Sequence, residues 1–386
     1  MRNPSNDDLR YSLTAWFPLL PRPRPACRAL PACVEEITQL AHAADEGPEE
    51  HRLVSAAEAH NKAALLLSDC GLTGRARELC WRQFDLFHAH APLEPRTAKL
   101  ALQPLVNLGR LHIRNGHGTR AHKLFTNAYR TLRDRTAAEI DHRTIDLNDL
   151  LDGREGRREL LRFLWTVLLA DGTRALTRAG RWDDALEHTE RHNGIGDRIF
   201  DGRQVAIITH LVRGDYDHAL DLVNHSSTPE LWEQAVASYL ATLCRTLSGS
   251  DAQPSRATMV ERYLELAKQP PPPVFHCRLG LCVLDLADDT LHAPLATEIT
   301  RRAMTSTDAY TARDVLAHRA CGPGLSDTDR RALTSVVSSA GLHHGNETPA
   351  GILAGLVNRR SSCGPPPPLV TALDLSEQVL TRVLRS

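Results

Sequence analysis

The sequence predicts an all-α protein, built as an irregular α-solenoid of antiparallel helix hairpins with a C-terminal helical extension. Three observations carry this. Strand-like runs of period two are scarce, whereas apolar residues recur at i, i+3, i+4 and i+7 almost throughout the 386 residues. Proline clusters at Pro21–Pro25, Pro270–Pro273 and Pro365–Pro368 cannot lie inside helices and punctuate the pattern. A Gly followed five residues later by Ala recurs where two helical patterns meet, at Gly71/Ala76, Gly116/Ala121, Gly180/Ala185 and Gly214/Ala219.

Taken in order, residues 1–50 read as a proline-containing N-terminal arm and a first helix. The apolar run Leu13–Leu20 is interrupted by Pro18 and leads into Pro-Arg-Pro-Arg-Pro, which argues against a secretory signal. Residues 51–135 read as helix pairs. Residues 136–158 mix charges of both signs with Gly153 and Gly156 and read as an irregular insertion. Residues 159–268 read as further helix pairs, with a loop at Ser248–Pro254 and a helix starting near Ser255. Residues 274–386 form a C-terminal helical region that ends in a helix near 370–384.

Composition narrows the function classes. With 46 basic against 47 acidic side chains the formal net charge is −1, so the chain lacks the basic field that coating DNA, RNA or an anionic membrane demands. No window reaches the roughly 18 uninterrupted apolar residues of a membrane span. Nine cysteines, an odd number with no C-x-x-C pair, read as buried thiols of a reduced cytoplasmic chain. Four lysines stand against 42 arginines, and with abundant Ala, Leu, Pro and Gly this skew is what a GC-rich bacterial genome imposes.

The fullest copy of the repeat reads Leu108-Gly109-x-x-His112-x3-Gly116-x4-Ala121-x3-Phe125-x2-Ala128. Residues of these kinds at this spacing resemble the tetratricopeptide repeat of bacterial, actinobacterial-type proteins, and Ala185 and Ala219 stand one 34-residue period of that family apart. The resemblance covers roughly 50–230. It departs from the family in spacing, 45 and then 64 residues between the earlier copies, and in lacking the proline that closes the second helix. The small position of the first helix is filled by Ala64, Gly109, Thr173 and Ile207 in turn. Physically, Gly109 lets two helices approach, the junction Gly closes the turn with left-handed backbone, and Ala fits where helices cross.

The resemblance implies a non-enzymatic adaptor or regulator that binds a protein or peptide in a concave groove lined by the first helix of each repeat. Projection from the Gly/Ala landmarks puts Asn61, Lys62, Gln103, Asn107, Arg110, Arg114, Arg174, Arg178 and Gln204 on that groove. Arginine forks suit carboxylates and amides can hold a peptide backbone, so an acidic peptide or a free C-terminal carboxylate is the expected ligand. Neither nucleic acid nor a membrane is expected as a partner. The competing accounts are that these arginines are solvated helix faces, that the chain is a peptide-responsive transcription-related regulator, and that it is a peptide-modifying biosynthetic enzyme on a repeat scaffold. Against the second, Pro21, Pro23, Pro25 and Pro31 break any helix-turn-helix in residues 1–50.

No catalytic residue, metal or cofactor is assigned. His188 and His192 lie one helical turn apart, but the order H-x-E-x-H puts Glu190 on another face, unlike the H-E-x-x-H of zinc peptidases. His88, His90, His343 and His344 lack a third ligand nearby in sequence. Cys277 and Cys282 read as core filler despite His276, because adjacent helical residues point about 100° apart. Gly194–Gly196 and Gly341–Gly355 lack the strand and the Gly-Lys-Ser/Thr of a phosphate loop. Asn346-Glu347-Thr348 matches a glycosylation sequon that has no meaning in a cytoplasmic chain.

Overall fold

A computed structural model describes residues 13–342 and 368–385. His343, His344, the Asn346 sequon, most of Gly341–Gly355 and Pro365–Pro367 lie outside the described residues. The chain is all-α: among the described residues there are 17 α-helices and one two-stranded hairpin. It divides into two compact units. The hairpin unit comprises residues 28–172 and 338–386, and the arm unit comprises residues 1–27 and 173–337. Compactness thus groups the chain differently from the proline clusters, since residues 338–386 belong with 28–172.

The hairpin unit holds α1 (Leu30–Glu46), α2 (Glu49–Asp69), α3 (Thr73–His88), α4 (Pro95–Arg114), α5 (Gly118–Asp134), β1 (Ala138–Ile140), β2 (Arg143–Ile145), α6 (Arg154–Val167) and α17 (Pro368–Arg385). Each helix packs on the next, α2 also touches α4, and α17 lies on α1 and α2. The stretch expected to be irregular is a β-hairpin in which Ile140 pairs with Arg143. Its two-residue turn places Asp141 and His142 at φ 48° and 69°, the left-handed backbone such a turn demands. Buried Ile140, Ile145, Leu147, Leu150 and Leu151 anchor it beneath the charges that dominate its sequence.

The arm unit holds α7 (Thr173–Arg178), α8 (Trp182–Arg191), α9 (Asp201–Arg213), α10 (Tyr216–Asn224), α11 (Leu231–Leu247), α12 (Gln253–Glu265), α13 (Pro273–Leu286), α14 (Asp289–Ser306), α15 (Ala309–Ala317) and α16 (Asp327–Ser339). One continuous core runs through it, and Leu13, Phe17 and Leu19 of the N-terminal arm belong to that core. The hairpin unit also holds a π-helical stretch, Leu168–Gly172, directly after α6.

The four predicted junctions share one hydrogen-bond pattern. Gly71, Gly116, Gly180 and Gly214 have φ between 70° and 82°. After each, the next residue donates to the carbonyl five back: Leu72 to Leu67, His117 to His112, Arg181 to Leu176 and Asp215 to His210. This is the double-wound helix end that a left-handed residue permits. Ala76, Ala121, Ala185 and Ala219 are fully buried. A fifth copy, Gly249 at φ 74° with Ser250 donating to Arg245, closes α11. At Gly109 a β-carbon would lie 2.3 Å from the Phe125 ring, so glycine there is required by the close approach of α4 and α5.

Candidate functional site

In the hairpin unit, α2 and α4 bring six of the nine projected residues onto neighbouring helices. Asn107 Nδ2 donates to Asn61 Oδ1 at 2.8 Å, tying α4 to α2. Lys62 pairs with Glu36 of α1 and, at 3.3 Å, with Glu58. Arg114 Nη1 meets Asp69 at 2.7 Å and Ser68 Oγ at 3.4 Å. Arg110 donates through Nε and Nη2 to Asp171 Oδ2 at 3.1 and 2.8 Å. Gln103 is half-buried on α4. Every cation named on this face therefore has a carboxylate against it, and the expected basic surface is a balanced ladder of ion pairs. The hydrogen bond from Lys62 holds the Glu36 carboxyl below its ordinary range.

A second polar constellation, absent from the sequence reading, surrounds the hairpin tip. The buried Asp141 carboxylate accepts from His112 Nε2 at 2.9 Å, Arg77 Nε at 2.5 Å and Trp81 Nε1 at 3.0 Å. These donors outweigh its burial and pull the carboxyl down to about 2. Beside it lies an open groove of about 580 Å³ lined by Arg77, Trp81, Arg82, Asp85 and Arg143 among others. Its arginines are engaged with Asp141, Glu377 and Asp85.

The remaining three residues lie in the arm unit. Arg174 and Arg178 are exposed on α7 and each has an interaction partner. Gln204, in contrast, is fully buried on α9. Its Oε1 accepts the Leu19 amide at 2.7 Å, and its Nε2 donates to the carbonyls of Leu19 at 3.0 Å and Ile199 at 2.8 Å. The amide thus grips both backbone groups of one residue in a segment without regular structure, the role expected of such residues toward a peptide, here filled by the protein's own arm.

Further groups complete that seat. Thr177 Oγ1 donates to the Phe17 carbonyl at 3.2 Å. Arg22 pairs with Asp201. The Arg24 guanidinium lies 3.7 Å from the centre of the Tyr310 ring. Ala309 N–H donates to the Cys27 carbonyl at 2.8 Å, while the Cys27 amide faces Asp308 Oδ1 at 3.4 Å. Phe17 stacks on Tyr239 with ring centres 5.6 Å apart, and Trp16 stacks on His318 at 5.8 Å. Only Gln204 was reachable from the repeat register; Asp201, Tyr239, Asp308 and Tyr310 carry no local motif.

His276 does not meet the Cys277 thiol. Arg302 Nη1 donates to its Nε2 at 3.2 Å, so the ring proton sits on Nδ1 and faces Tyr263 Oη at 3.3 Å. Burial pushes the Cys277 and Cys282 thiols well above their ordinary value. The eight described cysteines are free thiols. Among the described residues no group of three His, Cys, Asp or Glu side chains is placed to hold a metal ion, and His188 and His192 face each other with ring centres 4.7 Å apart. No described helix is long and apolar enough to cross a membrane.

Stacked helix pairs with a recurrent glycine-capped junction define an all-α protein of packed helical hairpins. No protein family, curated protein or solved structure matches the chain.

Proposed function

We propose that this chain is a protein- or peptide-binding scaffold of the tetratricopeptide type, acting in the bacterial cytoplasm as a non-enzymatic adaptor or regulator. The observation that carries the reading is the two-point grip of Gln204 on the backbone of Leu19. A side-chain amide that satisfies an N–H and a C=O of the same residue recognises peptide backbone irrespective of side chain. The recurrent caps support it from the other side, because within each unit they let successive helices fold back and pack on one another, as the hairpins of peptide-binding repeats do. On the hairpin unit, the ladder of Lys62, Arg110 and Arg114 is the surface where an acidic segment or C-terminal carboxylate would exchange with Glu36, Asp171 and Asp69.

An array of immobilised 15-residue peptides of varied charge, probed with the full chain, tests the reading. Saturable binding to a sequence-related subset is expected. Binding to none of them overturns it. Substituting Arg110 and Arg114 with Glu is expected to abolish any acidic members of the subset; unchanged capture of those peptides removes the ladder as their binding surface.

A further inference from the structure

The arm is held in the arm unit through its backbone as well as its side chains. From Leu13 to Trp16 it forms one helical turn, closed by Phe17 N–H donating to the Leu13 carbonyl at 2.9 Å, and it then runs without regular structure to Cys27. Its grip is distributed along its length. Leu13, Phe17 and Leu19 are buried in the core. The backbone of Phe17, Leu19 and Cys27 is held by Thr177, Gln204 and Ala309. Arg22 and Arg24 meet Asp201 and Tyr310. Between these points Pro23, Pro25 and Ala26 are exposed. Helices that share a core interlock through side chains, because their backbones are already satisfied internally. A segment held by host side chains on its own backbone is bound in the manner of a ligand.

We propose that the seat on the arm unit is a peptide-recognition site for which residues 13–27 are a built-in ligand, and that a basic peptide of a partner protein exchanges with the arm there. The proposal rests on the peptide-binding reading above and adds the ligand's chemistry and its competitor. The arm states the required pattern: apolar residues at the spacing of Leu13, Phe17 and Leu19, then arginines three and five residues after the last. The acidic and aromatic groups at the far end, Asp201, Asp308 and Tyr310, select cations there, so this site takes a ligand of opposite charge to that expected from the arginines of the first helices. The partner's gain is the apolar burial and backbone hydrogen bonds that the arm gives up. Exchange therefore needs only the partner's higher effective concentration or a better fit than the tethered arm.

The experiment uses the full chain and a fluorescein-labelled peptide spanning residues 12–28. Saturable binding is expected, at least ten-fold weaker for a peptide carrying Leu19→Asp and weaker for a Gln204→Ala chain. As the peptide saturates, the Leu19 amide of the chain is expected to lose its protection against hydrogen exchange. No saturable binding overturns the proposal. So does binding that leaves the Leu19 amide protected, because the peptide then sits elsewhere. The comparison with Leu19→Asp is made in the peptide and does not depend on the Gln204→Ala chain folding. If array peptides bind while the arm peptide does not, the inference fails and the peptide-binding reading stands; if neither binds, both fail.

Discussion

The two units close their polar faces by different means. On the hairpin unit, Lys62, Arg110 and Arg114 are neutralised by carboxylates of the same unit, side chain to side chain. On the arm unit, Gln204 and Thr177 are satisfied by the backbone of a segment more than 150 residues away in sequence. An ion pair whose cation keeps contact with water, as these do, contributes about 1 kcal/mol and yields to a competing ion. A buried amide grip supported by apolar burial is both stronger and more particular about what replaces it. The first arrangement screens a surface against charge in general, whereas the second reserves a site for one shape.

Four measurements break or sharpen this contrast. The largest effect is expected inside the arm unit, where buried Asp314 accepts from Arg278 Nε at 2.7 Å and from Arg313. Replacing Asp314 with Ala strands the Arg278 charge in the core and should destabilise this unit by about 3–5 kcal/mol in denaturant titrations. A loss below ~1 kcal/mol would mean that solvent reaches the pair.

Next comes pH, which should act on both units alike. Burial pulls His60 of the hairpin unit and His276 of the arm unit down to about 4, from an ordinary value of 6.5. The folded state then binds fewer protons than the unfolded one between those values. Each contribution is complete above about pH 6.5 and is lost as pH falls towards 4, up to ~3 kcal/mol apiece. Replacing His60 with Gln should flatten the acid limb for the hairpin unit alone, read by hydrogen exchange of its core amides; an unchanged limb would assign the acid sensitivity to other groups.

The third effect belongs to the hairpin unit. Gly109→Ala should cost about 1–3 kcal/mol by forcing the new methyl against buried Phe125. Phe125→Leu should recover part of that loss in a double-mutant cycle, and strict additivity would show that the two positions do not touch in solution. The smallest effect is expected at the ladder. Arg110→Ala should change stability by about 0–1 kcal/mol, its guanidinium being half exposed. A cost above ~2 kcal/mol would make the ladder structural and erase the contrast between the two faces.

What the sequence revealed follows the same division between local and distant chemistry. The junction glycines were legible because a left-handed cap is a property of a few consecutive residues. The fifth, Gly249, escaped because Pro254 stands where the other copies have Ala. The β-hairpin was hidden by charge: Ile140, Ile145 and Leu147 are spaced among Glu139, Asp141, His142 and Arg143, and no window is apolar enough to draw attention. Pro18 masked the arm by splitting the apolar pattern that Leu13, Phe17 and Leu19 share. The register put Gln204 on an inward face, yet what fills that face is decided by a contact spanning 185 residues, which no local pattern encodes.

The π-helical stretch Leu168–Gly172 has a consequence for how the chain is phased. Accommodating one residue more than an α-helical turn offsets the residues at its end by about 100° around the helix axis. Leu160 and Leu164 before it, and Leu168 and Asp171 within it, are all buried. Excising Ala170 would remove the extra residue and swing Asp171 away from the Arg110 guanidinium that it now accepts from. In that sense the bulge is a frameshift written in geometry, and a single codon keeps it.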